Sequence, residues 1–278
     1  MENGETLKQQ RIAVIGAGVM GCALIKGMLA AGRITRDNVW AVVATSNSQK
    51  RIAEELGIRV YRDLPVDEIA QTDTFLICTK PYRVVQVLDQ LKASKALKPS
   101  GLVVSIAAGT TIKQIETALP NYAVIRAMPN TPSLIRAGVT VLAAGSHSQD
   151  DHMLVAQEIF QSVGKVWQLD ERHLDAVTAV SGSGPAYIYL ILESLADGAV
   201  KVGLPRDIAF QLVSQTMLGA AMMVQDTGKH PATLKDEVTT PAGCTISALL
   251  TMEDGRIRST LARAVEEATR TAAGLGNA

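Results

Sequence analysis

The chain is predicted to be an α/β protein with a Rossmann-like dinucleotide-binding domain at its N-terminus and an all-α domain at its C-terminus. Three observations predict this. Short β-branched runs alternate with helical patterns as far as Leu169, the mark of βαβ units on a mostly parallel sheet. The first run, Arg11 to Ile15, feeds directly into GAGVMG, where Gly16, Gly18 and Gly21 have the G-x-G-x-x-G spacing. From Asp170 the period changes, and helix follows helix. The expected domains are therefore 1–169 and 170–278.

Composition narrows the possibilities. Hydrophobic residues make up 47% of 278 and charged residues 19%, which provides a large core and argues against disorder. The net charge is zero and aromatics are 4%, so neither a basic field nor base-stacking platforms are expected, and neither nucleic acid nor an acidic membrane is an expected partner. Cys22, Cys78 and Cys244 lack C-x-x-C spacing and read as reduced, buried thiols of a cytoplasmic protein. The opening MENGETLKQQ is polar, without the apolar core of an export signal. The longest apolar run, Tyr187 to Leu192, is followed by Glu193, Asp197 and Lys201, too soon for a membrane span.

In chain order, the strand at Arg11–Ile15 precedes the glycine turn, and a helix runs from Ala23 to Ala31. In Gly16-Ala17-Gly18-Val19-Met20-Gly21, the first glycine makes the turn. The second admits a pyrophosphate to the backbone, and the third lets helix pack on strand. A second strand is expected at Val39–Ala44. Where an NAD enzyme carries an acid for the ribose, this chain has Ala44, Thr45, Ser46 and Asn47, then Lys50 and Arg51. Hydroxyls and cations accept a 2′-phosphate that an acid would repel. NADP(H) is the expected cofactor, with NAD(H) left open. Lys50 and Arg51 also fit the plain alternative of a solvated first turn. Further strands at Thr74–Thr79 and Gly101–Ser105 end in Cys78-Thr79-Lys80-Pro81 and Ile106-Ala107-Ala108-Gly109, and helices follow over Tyr82–Leu97 and from Thr111. The strand at Tyr122–Ala127 runs into Met128-Pro129-Asn130-Thr131-Pro132, a turn stiffened by two prolines. A strand at Gly138–Ala144, a helix over Asp150–Val163 and a strand at Gly164–Leu169 complete the half.

In the second half a helix begins at Leu174 and is interrupted by SGSGPAY, Ser181 to Tyr187, a break that exposes backbone groups. Pro185 to Gly203 is apolar on nearly all sides except Glu193, Asp197 and Lys201, so it is expected to be buried in a bundle or against a second subunit. Helices at Arg206–Gln225 and Gly255–Ala273 carry further apolar faces, which points to a dimer of interleaved helices. Between them, Thr239 and Thr240 lead into Pro241-Ala242-Gly243, and Cys244 and Thr245 open another helix. Unpaired N–H groups there, with the helix dipole, suit a carboxylate or phosphate. His147, His152, His173 and His230 sit in no motif with a partner acid and read as surface residues; no metal ligand set is expected.

The run Val238 to Ile246 resembles the signature of the 1-pyrroline-5-carboxylate reductase family: valine, two small hydroxyl residues, Pro-Gly-Gly, a small residue, Thr-Ile. Ala242 stands in place of the first glycine. GAGVMG, the Lys-Pro and Ala-Ala-Gly strand ends, MPNTP and SGSGPAY come in family order as well. The related β-hydroxyacid dehydrogenases place a lysine where this chain has Ile188. The resemblance implies reduction of 1-pyrroline-5-carboxylate to L-proline, the last step of proline biosynthesis, by a cytoplasmic homodimer or higher oligomer. It implies cofactor contacts from Gly16 to Gly21, from Thr45, Ser46, Asn47 and Arg51, from Cys78 to Pro81 and from Ile106 to Ala108. It implies that Thr240, Gly243, Cys244 and Thr245 hold the substrate, that Thr245 bonds the ring nitrogen, and that Glu171 and Glu237 lie near substrate or cofactor. Reduction of another small imine or keto acid, and a non-catalytic NADPH-binding role, are the alternatives.

Overall fold

Eight strands form one sheet in the order β3-β2-β1-β4-β5-β6-β7-β8 in the computed structural model, which describes residues 7–275. Residues 1–6 of the polar opening stretch and the last three of the expected helical domain lie outside those described. The elements are β1 (Ile12–Ile15), α1 (Val19–Ala30), β2 (Val39–Val42), α2 (Ser46–Leu56), β3 (Arg59–Tyr61), α3 (Val66–Gln71), β4 (Thr74–Ile77), α4 (Val84–Ala93), β5 (Leu102–Ser105), α5 (Ile112–Ala118), β6 (Ala123–Met128), β7 (Gly138–Ala144), α6 (Asp150–Gln161) and β8 (Gly164–Gln168). Then come α7 (Leu174–Val177), a π turn over Thr178–Gly182, α8 (Gly184–Lys201), α9 (Arg206–Thr227), α10 (Pro231–Glu237), α11 (Cys244–Asp254) and α12 (Ile257–Gly274).

All neighbouring strands pair in parallel except β6 and β7. The central strands β1, β4 and β5 are buried throughout, as parallel strands covered on both faces must be. Alternate residues point to opposite faces and divide the core in two. Ile12, Val14, Leu76 and Val104 meet Leu24, Ile25, Ile159 and Phe160 on one face. Ala13, Ile15, Phe75 and Val103 meet Leu88, Leu91, Ile112 and Ile115 on the other. Local signals set the helix ends. Thr45 caps α2 by accepting from Ser48 N, Gly57 closes it in the left-handed region at φ +65°, and Thr111 with Gln114 forms a capping box on α5.

Chain contacts divide the molecule into two compact units, Gly184–Glu267 and the remainder. Residues 170–183 fall in the first unit. Leu174 is fully buried in the sheet's second core and Val177 packs against it. In the second unit, by contrast, few side chains are covered within the chain: Ala196 and Ala209 are buried, whereas Ile188, Leu190, Leu212, Leu218, Met222 and Leu250 are exposed. The helices expected to be buried therefore have apolar faces uncovered by their own chain. α9, with 22 residues and a mean hydropathy of 1.2, is long and apolar enough to cross a membrane by length and composition. The three thiols are free, and Cys244, expected to be buried, is exposed because it occupies the first turn of α11 on this open surface.

Candidate active site

Strand order reverses between β1 and β4, and a crevice opens at the carboxyl ends of such strands. The turn after β1 is shaped for it. Gly16 has φ +90°, and a Cβ there would lie 2.8 Å from Thr79 Cγ2 and 2.9 Å from Thr79 N, so no other residue fits. Gly16 N and Ala17 N both donate to Val42 O at 2.9 and 3.0 Å, tying the turn to β2. Gly18 is the N-cap of α1 in extended conformation, and a Cβ there would meet only Gly16 O at 3.9 Å. Nothing in the protein demands glycine at 18; what its missing side chain leaves is bare backbone facing the crevice. Gly21 is set 3.1 Å from Val14 Cγ1 by the same measure, the close helix–strand packing expected of the third glycine. Val19, Met20 and Gly21 contribute the first N–H groups of α1, which have no intrahelical acceptor. The turn, its unpaired amides and the helix dipole fit a dinucleotide pyrophosphate.

The other strand ends converge here. Cys78 N donates to Ile15 O and Ile106 N to Ile77 O, which carries the registers of β4 and β5 past their last ladder pairs. Thr79 Oγ1 is enclosed and has no hydrogen-bond partner, a donor available to a ligand. Burial pushes the Cys78 thiol pKa up, with a smaller push from the neighbouring Cys22, so it is an unreactive wall. Ala107 is buried and Ala108 half-buried, whereas Lys80 is exposed beyond the half-buried Pro81.

Beside the turn lies a cavity of about 530 Å³, lined by Gly16, Ala44, Arg62, Thr79 and Arg83 among others. Thr45 and Ser46 stand at its α2 side: Ser46 Oγ accepts from Arg62 Nη1 at 3.1 Å, and Ala44 O from Arg62 Nη2 at 3.4 Å. Asn47 continues the first turn, which carries no acid. Arg51 is one turn further on and pairs with Glu55 at 3.3 Å, a carboxylate that a hydrogen bond from Lys26 holds below its usual pKa. Arg62, which the sequence does not single out, lines the cavity as well. The pairing of β2 with β3 sets Tyr61 opposite Val42, so the residue after Tyr61 arrives beside the end of β2. The pairing was the signal, and β3 itself was not foreseen.

In the second unit, Gly243 caps α11 and its N–H donates to Thr240 O at 3.1 Å. A Cβ on Gly243 would collide with Thr240 Oγ1, so the chain folds tightly over the exposed Thr240 hydroxyl. Ala242 takes φ +58°; the left-handed turn expected of glycine is kept by alanine. Cys244, Thr245 and Ile246 present unpaired first-turn N–H groups, and the half-buried Thr245 makes no side-chain hydrogen bond within the described chain. One short stretch therefore gathers amides and hydroxyls without a carboxylate. Glu237, at the end of α10, pairs with Lys229 at 2.6 Å.

Glu171 has partners within the fold. Its Oε1 accepts from Ile112 N at 2.7 Å and Arg126 Nη1 at 3.1 Å, while Asp175 lies 3.6 Å from Arg126 Nη2. This acid fastens the start of α5 to the segment ahead of α7. At the SGSG stretch a Cβ on Gly182 would lie 2.6 Å from Met128 Cε, so the π turn comes close to the end of β6. Asn130 of the MPNTP turn donates to Ser181 O at 3.1 Å and accepts from Val139 N at 2.9 Å. Two histidines serve as caps, His152 accepting from Gln149 N and His230 from Ala232 N.

Comparison with known proteins agrees with both halves. Residues 11–109 match the family model described as NADP oxidoreductase coenzyme F420-dependent, and residues 171–275 match that for pyrroline-5-carboxylate reductase dimerisation. The pyrroline-5-carboxylate reductase of Glycine max is 39% identical over 260 residues, 93% of each chain. Two solved structures are similar over nearly their full lengths. The pyrroline-5-carboxylate reductase of Coxiella burnetii has a TM-score of 0.88 at 32% identity, covering 96% of this chain and 98% of that one. The Plasmodium falciparum pyrroline carboxylate reductase with NADP bound has a TM-score of 0.85 at 28% identity, covering 97% and 99%. A dinucleotide cradle, the Thr239-to-Ile246 run and relatives matched from end to end converge on one assignment: the chain belongs to the pyrroline-5-carboxylate reductase family.

Proposed function

We propose that the protein reduces 1-pyrroline-5-carboxylate to L-proline with NADPH, the last step of proline biosynthesis. The observation that carries the reading beyond the fold is the start of α11, where unpaired amides and the free Thr245 hydroxyl share one turn. The substrate is a cyclic imine with one carboxylate, and such a turn can hold the carboxylate through Gly243, Cys244 and Thr245 N–H, with Thr240 beside it. NADPH, when bound at the glycine turn, supplies the hydride. Thr245 donates to the ring nitrogen, a bond that strengthens as the nitrogen gains electron density. A threonine hydroxyl is too weak an acid to act as a free proton source, so an already protonated iminium or a water brings the proton. Thr79, Ala107 and Ala108 wall the nicotinamide end, Lys80 and Pro81 continue that wall, and Ile106 supports it. Glu171 acts indirectly, holding α5 through Arg126 beside this strand end, and Glu237 steadies α10 through Lys229.

The uncovered faces of α8, α9, α11 and α12 support a homodimer of interleaved helices, in which α9 is covered by protein and not by lipid. The free cysteines suit a reducing cytoplasm. We take 1–169 as the cofactor domain and 170–278 as the substrate and dimerisation domain. NADPH oxidation should be rapid with pyrroline-5-carboxylate and absent with open-chain keto acids or no substrate. Equal rates with keto acids would overturn the substrate, and no rate with any would overturn the activity.

A further inference from the structure

The wall of the adenosine-side cavity contains a cation whose place in the fold explains nothing about the fold. Arg62 is exposed, follows β3, and reaches back across the end of β2. Its two hydrogen bonds go to neutral oxygens, Ser46 Oγ at 3.1 Å and Ala44 O at 3.4 Å, the second near the limit of a real bond. Among the described residues no carboxylate lies within ion-pair distance of it. Its surroundings suit an incoming anion. The first turn of α2 carries no acid, and the N–H groups of Ser46 and Asn47 have no intrahelical acceptor. Thr45 Oγ1 is occupied in capping Ser48 N. One carboxylate, Asp63, lines the same cavity, and Arg83 lines it from the α4 side. Of the two cations in α2, Arg51 is paired with Glu55 and Lys50 is exposed.

We propose that Arg62 selects NADP(H) over NAD(H), its guanidinium turning from Ser46 Oγ and Ala44 O onto the 2′-phosphate while the first amides of α2 hold that phosphate from the other side. This rests on the cofactor reading above. Arginine suits the task because its planar fork can meet two phosphate oxygens at once. An arginine here is also compatible with the lack of an acid at Ala44–Asn47, since the same oxygens would then need a positive partner.

The test uses the intact oligomer and the adenosine fragments 2′,5′-ADP and 5′-ADP, measured by titration calorimetry without substrate. Wild type should bind 2′,5′-ADP more tightly. Arg62→Ala should weaken 2′,5′-ADP by about 10- to 100-fold, the range for a lost charge-assisted contact, and leave 5′-ADP within about twofold. Arg62→Lys, which keeps the charge and loses the fork, should fall between. An Arg62→Ala protein that binds 2′,5′-ADP as wild type does would overturn the assignment. So would an equal loss of both fragments, which would make Arg62 a prop for the Ala44–Ser46 turn. A wild type with no preference for 2′,5′-ADP would instead overturn the cofactor reading, and the inference with it.

Discussion

Gly18→Ala separates ligand access from folding, because the two jobs of the glycine turn fall on different residues. At Gly18 the backbone is extended, and a Cβ would meet one atom, Gly16 O, at 3.9 Å. The cost to the fold is then only that of a poorer N-cap, about 0.5–1 kcal/mol. The same methyl stands where a pyrophosphate must approach the amides of α1. Losing one amide–phosphate hydrogen bond costs about 1.5–3 kcal/mol, so NADPH affinity should fall by about 10- to 150-fold. Gly16→Ala reverses the pattern. It must adopt φ +90° with its Cβ 2.9 Å from Thr79 N. Left-handed strain of about 1–2 kcal/mol and backbone overlap of similar size give about 3 kcal/mol of lost stability. Urea unfolding and NADPH fluorescence titration on each variant read the two quantities separately. A Gly18→Ala protein that keeps wild-type affinity, or that unfolds as readily as Gly16→Ala, would refute the division of labour.

Thr245→Ala, and equally Thr245→Val, should lower kcat by about 30- to 1000-fold, since a hydrogen bond to developing charge is worth about 2–4 kcal/mol; steady-state kinetics with NADPH KM nearly unchanged checks it, and full kcat in either variant withdraws the role. Ala242→Gly relieves left-handed strain of about 1–2 kcal/mol and loses about 0.5–1 kcal/mol of unfolded-chain restriction, so unfolding should show a gain of about 0.5 kcal/mol, and any loss above about 1 kcal/mol contradicts the φ of +58°. Glu68 is buried, which raises its pKa, but hydrogen bonds from Arg11 and Tyr61 and the nearby Arg59 outweigh burial and hold it below its usual value. A depressed folded pKa contributes stability above the unfolded value near 4.5, lost as pH falls through the folded one. Glu68→Gln should therefore cost about 2 kcal/mol at pH 7, discounted for the partly exposed Arg59, and much less at pH 3; equal losses at both pH values would show packing, not charge, at work.

Much of this was legible because glycine and proline carry their constraints in the chain itself. The need for glycine at 16 and close packing at 21 follow from the G-x-G-x-x-G spacing, and the structure supplies the contacts that enforce them. The buried strands were equally plain, since both faces are apolar and only their ends shifted by a residue or two. β3 was missed for the opposite reason. Arg59-Val60-Tyr61 is three residues long with one buried side chain, too short for a period, and it is a strand because β2 offers it a ladder.

Charged side chains were the hardest to read, because a charge says nothing about its partner. Glu171 and Arg51, expected beside ligands, also have partners within the fold that no spacing announces: Arg126, 45 residues away, for Glu171 and Glu55, one turn along its own helix, for Arg51. Arg62 carries no motif that would single it out in the sequence, yet it reaches neutral oxygens in the cavity wall. A charge held only by neutral dipoles keeps most of its Coulomb attraction for an incoming anion. The same reasoning applies to the apolar residues of α8 and α9. Their hydrophobicity foretold burial, but their own chain covers little more than Ala196 and Ala209. A surface of this kind is unstable in water unless something else covers it, and the match of residues 171–275 to a dimerisation family model agrees with the second subunit that these apolar faces led the sequence to predict.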